Sequence, residues 1–415
     1  MIRSLTDRRR RCVVILVMTL AAWPAVAAAQ GLGAGPLTSS LATAEPQTGV
    51  LRVGRIRVAP GVIVREAGWD SNVFDERENP KEDYVAAVAP DISAFTRLRF
   101  VQVSAYAGAD FNYYKTYDSE RSSGYAGRGR VDWLLVRLRP FVGAGRTKQR
   151  TRPNGEIDVR ADRQEDELSG GLAYDLSDHS SIYASGFKHT FQFLDASEEG
   201  IDLSAALNRD SFDYSAGVRT DLTPLASLTV SGGYREDQFK VQKFRNGDTR
   251  YGTVTIRIGA EAIVSGVGTV SFRDYKSADP NVKPYRGITA TGSLSYSFLE
   301  IGRLTFIGSR NTEYSFDSAE AYYIENSGTL YYTHRLFGKV DAQVRGGVSQ
   351  FDYSFSEITP AHKDQLDTYG SSVGYNLTNR TRVSLNYEFA RRRSPVFPER
   401  NYDRRRVYMS WNFAQ

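Results

Sequence analysis

At 415 residues the chain has room for two or three ordinary domains or for one large barrel, so length does not divide it. Its mean hydropathy is negative, and past the N-terminus no apolar run approaches the ~20 residues of a membrane helix, which excludes helical membrane insertion. The formal charge of +5 is mostly N-terminal: Arg3 and Arg8 to Arg11 stand against Asp7, and without that segment about +1 remains, which gives no argument for nucleic acid.

Residues 1–29 read as a secretory signal peptide. Arg8 to Arg11 form its basic region, Val13 to Ala22 its apolar region, and Ala27 and Ala29 the small residues of a cleavage site before Gln30. The only cysteine, Cys12, leaves with it, so the mature chain suits export through an oxidising periplasm without a disulfide framework. Residues 30–55, rich in Gly, Ala, Thr, Pro and Ser, read as a flexible periplasmic leader. That leader is too short to fold as a plug domain, which weighs against a siderophore-type transporter.

From Ile56 to the C-terminus the chain breaks into strand-like segments of about 10 to 16 residues, rich in Tyr, Val, Phe, Ser, Thr and Gly. Their period is two: Ile288, Ala290, Leu294, Tyr296 and Phe298 fall on one face, and Thr289, Thr291, Ser293, Ser295 and Ser297 on the other. Tight turns are expected near 96–97, 137–139, 177–179, 223–225, 265–266, 300–302, 336–338 and 378–380. Longer polar stretches alternate with them, among them 72–82, 151–163, 195–207 and 391–401. The turns recur roughly every 40 residues, the length of a membrane-spanning hairpin plus an outer loop. Eight turns and nine loops give an all-β, antiparallel up-and-down transmembrane β-barrel over 56–415 with 18 strands, or 16 if the first hairpin is misread. Either width leaves an aqueous channel. An even number brings both ends to the periplasmic side, so the last strand pairs with the first. In that last strand Val407, Met409, Trp411 and Phe413 face lipid and form a candidate assembly signal for the barrel-assembly machinery. Arg404, Arg406 and Tyr408 face the lumen.

Nothing in the sequence has catalytic, metal-ligating or cofactor-binding spacing. His179, His189, His334 and His362 are not spaced as ligands, and His189 falls on the expected lipid face. A charge on the lipid face at mid-membrane costs roughly 2 to 4 kcal/mol, so the strand arginines are expected to point inward. They include Arg128, Arg130, Arg219, Arg257, Arg273, Arg345, Arg382, Arg392, Arg404 and Arg406. Such a track favours an anionic solute, but Asp110, Asp132, Asp213, Asp221, Asp274, Asp341 and Glu388 are expected to share the lumen and neutralise it. A salt-bridged wall is therefore the favoured reading, with Arg382, Arg392, Arg404 and Arg406 the best place for a selective cluster. Tyr106, Tyr114, Tyr323, Tyr331 and Tyr408 are also on the inward parity, where rings can stack on sugars.

The most motif-like stretch is Gly68-Trp69-Asp70-Ser71-Asn72-Val73-Phe74, whose Asp70, Ser71 and Asn72 are turn and capping residues. Calcium binding by Asp70 and Asn72 is the weaker alternative. With Asp83-Tyr84 opening the second strand and Pro90 within it, this stretch resembles the outer-membrane β-barrel porin family of proteobacteria found with exopolysaccharide operons. The resemblance covers residue 56 to the end. It implies a non-enzymatic conduit for a secreted polysaccharide in a Gram-negative outer membrane, working with periplasmic polysaccharide-export proteins. One departure is that Phe413 is followed by Ala414 and Gln415 rather than ending the chain. A general diffusion porin is the alternative, and a structural or adhesive barrel would follow if a loop such as 151–163 plugged the lumen.

Overall fold

The computed structural model describes residues 51–414 except 153–154, 157–158, 195–196, 199, 299–300, 318–319, 354–360 and 379. Ala27, Ala29, Gln30 and most of the expected leader lie outside the described residues. Eighteen long strands form the wall. The first nine are β1 (Ile56–Asp70), β2 (Asp83–Leu98), β3 (Val101–Tyr114), β4 (Ser122–Trp133), β5 (Leu138–Thr151), β6 (Ala161–Asp175), β7 (Ser180–Phe193), β8 (Arg209–Thr223) and β9 (Ala226–Phe239). The second nine are β10 (Gly247–Ile258), β11 (Val264–Ser277), β12 (Tyr285–Phe298), β13 (Gly302–Tyr314), β14 (Tyr322–Phe337), β15 (Val340–Asp352), β16 (Lys363–Thr378), β17 (Thr381–Arg393) and β18 (Tyr402–Ala414).

Each strand pairs antiparallel with the next, and β18 returns to β1 with Val62 opposite Phe413 and Asp70 opposite Arg406. The ring is closed, so no lipid-exposed edge is left. A three-residue strand, Leu51–Val53, turns at Gly54 and pairs with Ile56–Val58. It occupies the edge of β1 just beyond the point where β18 ends, so strand pairing begins inside the stretch expected to be leader.

Alternation sets the faces. Val407, Met409 and Trp411 of β18, Leu385 and Tyr387 of β17, and Val344 and Val348 of β15 are exposed on the outer wall. Ser384, Arg392 and Asp364, on the opposite parity, are buried inside. The strands run 12 to 16 residues, longer than the ~9–11 that cross a bilayer. The surplus lies at the outer ends, where Lys188, Arg250, Asp274, Arg310 and Asp367 take over the outward parity. Asp274 is therefore outside the lumen, opposite Arg250 and Arg286 in the ladder. His189 departs in the other direction: it stacks on inward Phe191 at 5.9 Å and pairs with inward Glu167.

Eight tight turns and nine longer connections alternate as expected, with two displaced. The first turn is at 99–100 rather than 96–97, and the one expected at 265–266 lies at 259–263. Gly266 is instead inside the β11 ladder with φ 144°, where a Cβ would run into the carbonyl oxygen of Ser293. A glycine can mark a close backbone approach as well as a turn.

The lumen and its outer mouth as candidate functional site

Along the middle of the inner wall, hydroxyls bond across neighbouring strands. Ser185 meets Ser215 at 3.0 Å, Thr253 meets Ser271 at 2.8 Å, Ser295 meets Thr305 at 2.9 Å, Ser309 meets Ser327 at 2.7 Å, and Ser384 meets Ser410 at 2.7 Å. Each pair satisfies one hydroxyl with another and leaves lone pairs toward the lumen. Among them, and toward the periplasmic ends of the strands, stand charges that cancel locally. Arg130 forks onto Asp132, with Nε 2.9 Å from Oδ1, and stacks over Phe141 at 3.9 Å. Glu388 accepts from Arg345, Arg406 and Tyr408, while Arg382 pairs with Asp341.

The first strand leaves the wall through Asp70-Ser71-Asn72-Val73-Phe74. Asp70 and Asn72 are buried, and the Asp70 carboxylate accepts from the Asn72 amide at 3.0 Å. The Asn72 side chain donates from Nδ2 to the carbonyls of Glu76 and Asp403 and accepts at Oδ1 from the Glu76 amide. Arg404 donates to both Asp70 oxygens and to Asp75. The Arg405 amide donates to Ser71 Oγ and the Ser71 amide to the Arg405 carbonyl. Val73 is buried against Val85 and Tyr114, and Phe74 meets Tyr117 edge-on at 4.9 Å. Gly68 makes the close approach possible, since a Cβ there would strike the Val407 carbonyl. The motif is thus a latch between the first and last strands. With Asp70 taken up by Arg404, its carboxylate is not offered to a cation.

The outer mouth is narrowed from inside. β12 and β13 part after Ala290 and Arg310, and the ladder of β14 and β15 ends at Ile324 and Asp352. Beyond those points Asn311–Tyr314 have no strand partner but Tyr322–Glu325, and Tyr322 and Tyr323 none but Glu313 and Tyr314, so the hairpin tip leans into the barrel. Tyr314 donates to Asp237 of β9 at 3.0 Å and meets Phe239 at 4.8 Å, while Tyr322 packs on Tyr275 and Tyr285. A short helix, α1 (Leu203–Leu207), capped by Asp202, adds Leu203 and Leu207 to this apolar cluster.

The connection between β5 and β6 reaches across to meet the tip. Glu156 is 2 % exposed and accepts from Ser315 Oγ at 2.7 Å and from the Phe316 amide at 3.1 Å. Its carbonyl accepts from Arg392 of β17, which is also paired with Asp364 at 3.0 Å, and Gly155 lies against Phe351 of β15. Burial pushes the Glu156 carboxyl up to about 7, against the pull of Ser315, Arg400 and Phe316. Arg152 and Arg160, at the base of the same connection, donate to the Val73 carbonyl, and Arg160 pairs with Glu120 at 3.0 Å. The seam latch and the infolded loop are therefore one network.

The structure separates the expected pore arginines. Arg404 and Arg392 are 13 % and 1 % exposed and hold the seam and the loop. Arg345, Arg382 and Arg406 sit half-buried in wall ion pairs, whereas Arg128 and Arg257 are exposed to the lumen. Tyr331 and Tyr408 face inward, Tyr408 bonded to Glu388 at 2.6 Å. Sequence reading missed Glu156, which no pattern marks. It also missed Arg163, Arg209, Arg235, Tyr251 and Tyr275, all buried inside, which the same alternation would have placed there.

Among solved structures the chain is similar to the outer membrane protein OpdK from Pseudomonas aeruginosa, with 10 % identity, 86 % of this chain and 99 % of that one covered, and a TM-score of 0.49. It is similar to a BenF-like porin from Pseudomonas fluorescens Pf-5 at 12 % identity over 86 % and 99 %, with a TM-score of 0.49. Against the FrpB iron transporter from Neisseria meningitidis it has 10 % identity and a TM-score of 0.45; 81 % of this chain is covered, and it spans 62 % of that protein. A search of curated proteins found no match. The family model described as "Putative beta-barrel porin 2" matches residues 47–414. With a closed 18-strand ring, an apolar outer wall and a polar lumen, the chain belongs to that family and is a porin-like outer-membrane β-barrel.

Proposed function

We propose that the barrel is a passive conduit for a secreted exopolysaccharide. The observation that carries this reading is the inner wall of paired hydroxyls and inward tyrosines, in which most mid-wall charges are already matched. Such a wall offers weak, repeated hydrogen bonds and ring faces to a hydroxyl-rich chain without a deep trap, as conduction requires. A cleaved signal before Gln30, help from periplasmic export proteins and insertion by the assembly machinery belong to the same reading. Deleting the gene and measuring cell-bound and secreted polysaccharide tests it: polymer retained in the cell is expected, and unchanged amounts in both fractions overturn it. N-terminal sequencing of the mature protein checks the cleavage site.

A general diffusion porin is the second reading, favoured by the loop that narrows the outer mouth around Glu156. Planar-bilayer recordings separate the two. An open, weakly selective pore that long oligosaccharides fail to block supports the porin.

A further inference from the structure

The inward arginines are unevenly spread along the barrel axis. At the periplasmic ends of the strands four inward aspartates each hold one arginine, in the pairs Arg130–Asp132, Arg139–Asp175, Arg219–Asp221 and Arg382–Asp341. At the same level Arg97 of β2, Arg257 of β10 and Arg335 of β14 are exposed to the lumen with no carboxylate partner among the described residues. Arg57 and Arg303 add two more charges. Among the described inward strand positions at this mouth there are thus nine arginines and four aspartates. The outer loops lean the other way: Asp75, Glu76, Glu78 and Glu82 outnumber Arg77 and Lys81, and residues 194–208 carry four acids and no base.

We infer that this periplasmic ring is the capture site for an acidic, carboxylate-bearing polysaccharide, which rests on the conduit reading and names its substrate class. A ring of one sign set in a low-dielectric wall focuses its field into the opening and raises the local concentration of a polyanion. Guanidinium forks match carboxylates in a planar, two-point fashion. Because Arg97, Arg257 and Arg335 hold no ion pair among the described residues, a uronate engages them without breaking one of those pairs. Strands β2, β10 and β14 lie on different sides of the ring, so the three cations surround a passing chain. They point into the lumen, which suits a threading polymer better than a protein seated on the rim.

The test is equilibrium binding of fluorescent oligogalacturonate, and of a neutral malto-oligosaccharide of equal length, to the purified full-length barrel. It compares the wild type with a triple variant carrying Arg97→Gln, Arg257→Gln and Arg335→Gln. The variant is expected to bind the uronate about tenfold more weakly, since three guanidinium contacts to carboxylates are lost, with neutral binding unchanged. In the wild type alone, uronate binding must weaken as salt rises, a readout that does not depend on the variant folding. Equal affinity of the two barrels for the uronate, or equal binding of acidic and neutral oligomers, overturns the inference and leaves the ring to a protein partner. If gene deletion spares export while the variant still loses uronate binding, the conduit reading falls and the anion site stands. If export requires the barrel but the variant binds as the wild type does, the reverse holds.

Discussion

The two mouths of the barrel start from the same strands and the same alternation, and end in opposite states. At the outer mouth Arg392 and Arg404 are buried against Asp364, Asp70 and Asp75, while at the periplasmic mouth Arg97, Arg257 and Arg335 stand exposed. Asp70 and Asp364 come from the strands themselves, and loop length adds the rest. Outer connections such as 71–82 and 194–208 are long enough to fold back over the lumen and deliver carboxylates, carbonyls and aromatic rings to the inward arginines. Periplasmic turns of two to five residues have no such reach. At the outer end loops help bury an inward arginine as a structural tie, whereas at the periplasmic end it is held by a strand aspartate alone, as Arg130 and Arg382 are, or stands exposed.

That contrast can be broken most forcefully by cutting the loop. Excising residues 153–159 should raise single-channel conductance several-fold while leaving heat-modifiable gel mobility intact; an unchanged conductance would mean the constriction lies elsewhere. Next, Arg404→Ala should cost about 3–5 kcal/mol, because Asp70 and Asp75 would remain buried without their cation. A lowered unfolding temperature and poor gel mobility check this. Buried against Asp70 and Asp75, Arg404 is a structural tie and not an open member of the selective cluster expected with Arg382, Arg392 and Arg406. Replacing Trp411 and Phe413 together by Ser should reduce the fraction of assembled barrel, since both are apolar outward anchors of the closing strand.

A milder perturbation is pH. The Glu156 carboxyl, raised by burial to about 7 from an ordinary 4.5, favours the docked loop when protonated. That contribution is fully present below pH 4.5 and is lost as pH rises through 7. Brief openings in bilayer recordings should grow more frequent over that interval, and Glu156→Gln should flatten the dependence. The smallest effect is expected at the periplasmic mouth, where Arg382→Gln removes a half-exposed pair worth under about 1 kcal/mol. A change in unfolding temperature as large as that of Arg404→Ala would erase the distinction drawn between the two ends.

Much of this plan was legible in the residues. Period-two alternation placed Val407, Met409 and Trp411 outside and Arg406 and Tyr408 inside, and the spacing of turns yielded eighteen strands. Where the reading slipped, parity was applied unevenly: Arg273 and Asp274 are neighbours and cannot both face the lumen of one regular strand. The infolded tip was not legible for a different reason. Asn311 to Tyr314 continue the alternation of β13 without interruption, so nothing local says that the ladder to β12 ends at Arg310. Its departure is set by partners far along the chain, Asp237, Phe239 and Glu156, whose approach only the closed ring creates.

The joint between β1 and β18 carries a further consequence. A bulge between Val64 and Ala67 interrupts it, so its ladder is shorter than its neighbours'. Two ion pairs, Asp70–Arg404 and Glu66–Arg406, and the strand Leu51–Val53 reinforce what the backbone lacks. Amide hydrogens along this joint should exchange with solvent before those of any other strand pair. Pulling the chain from either terminus should open the cylinder there first, with the ion pairs setting the force at which it parts.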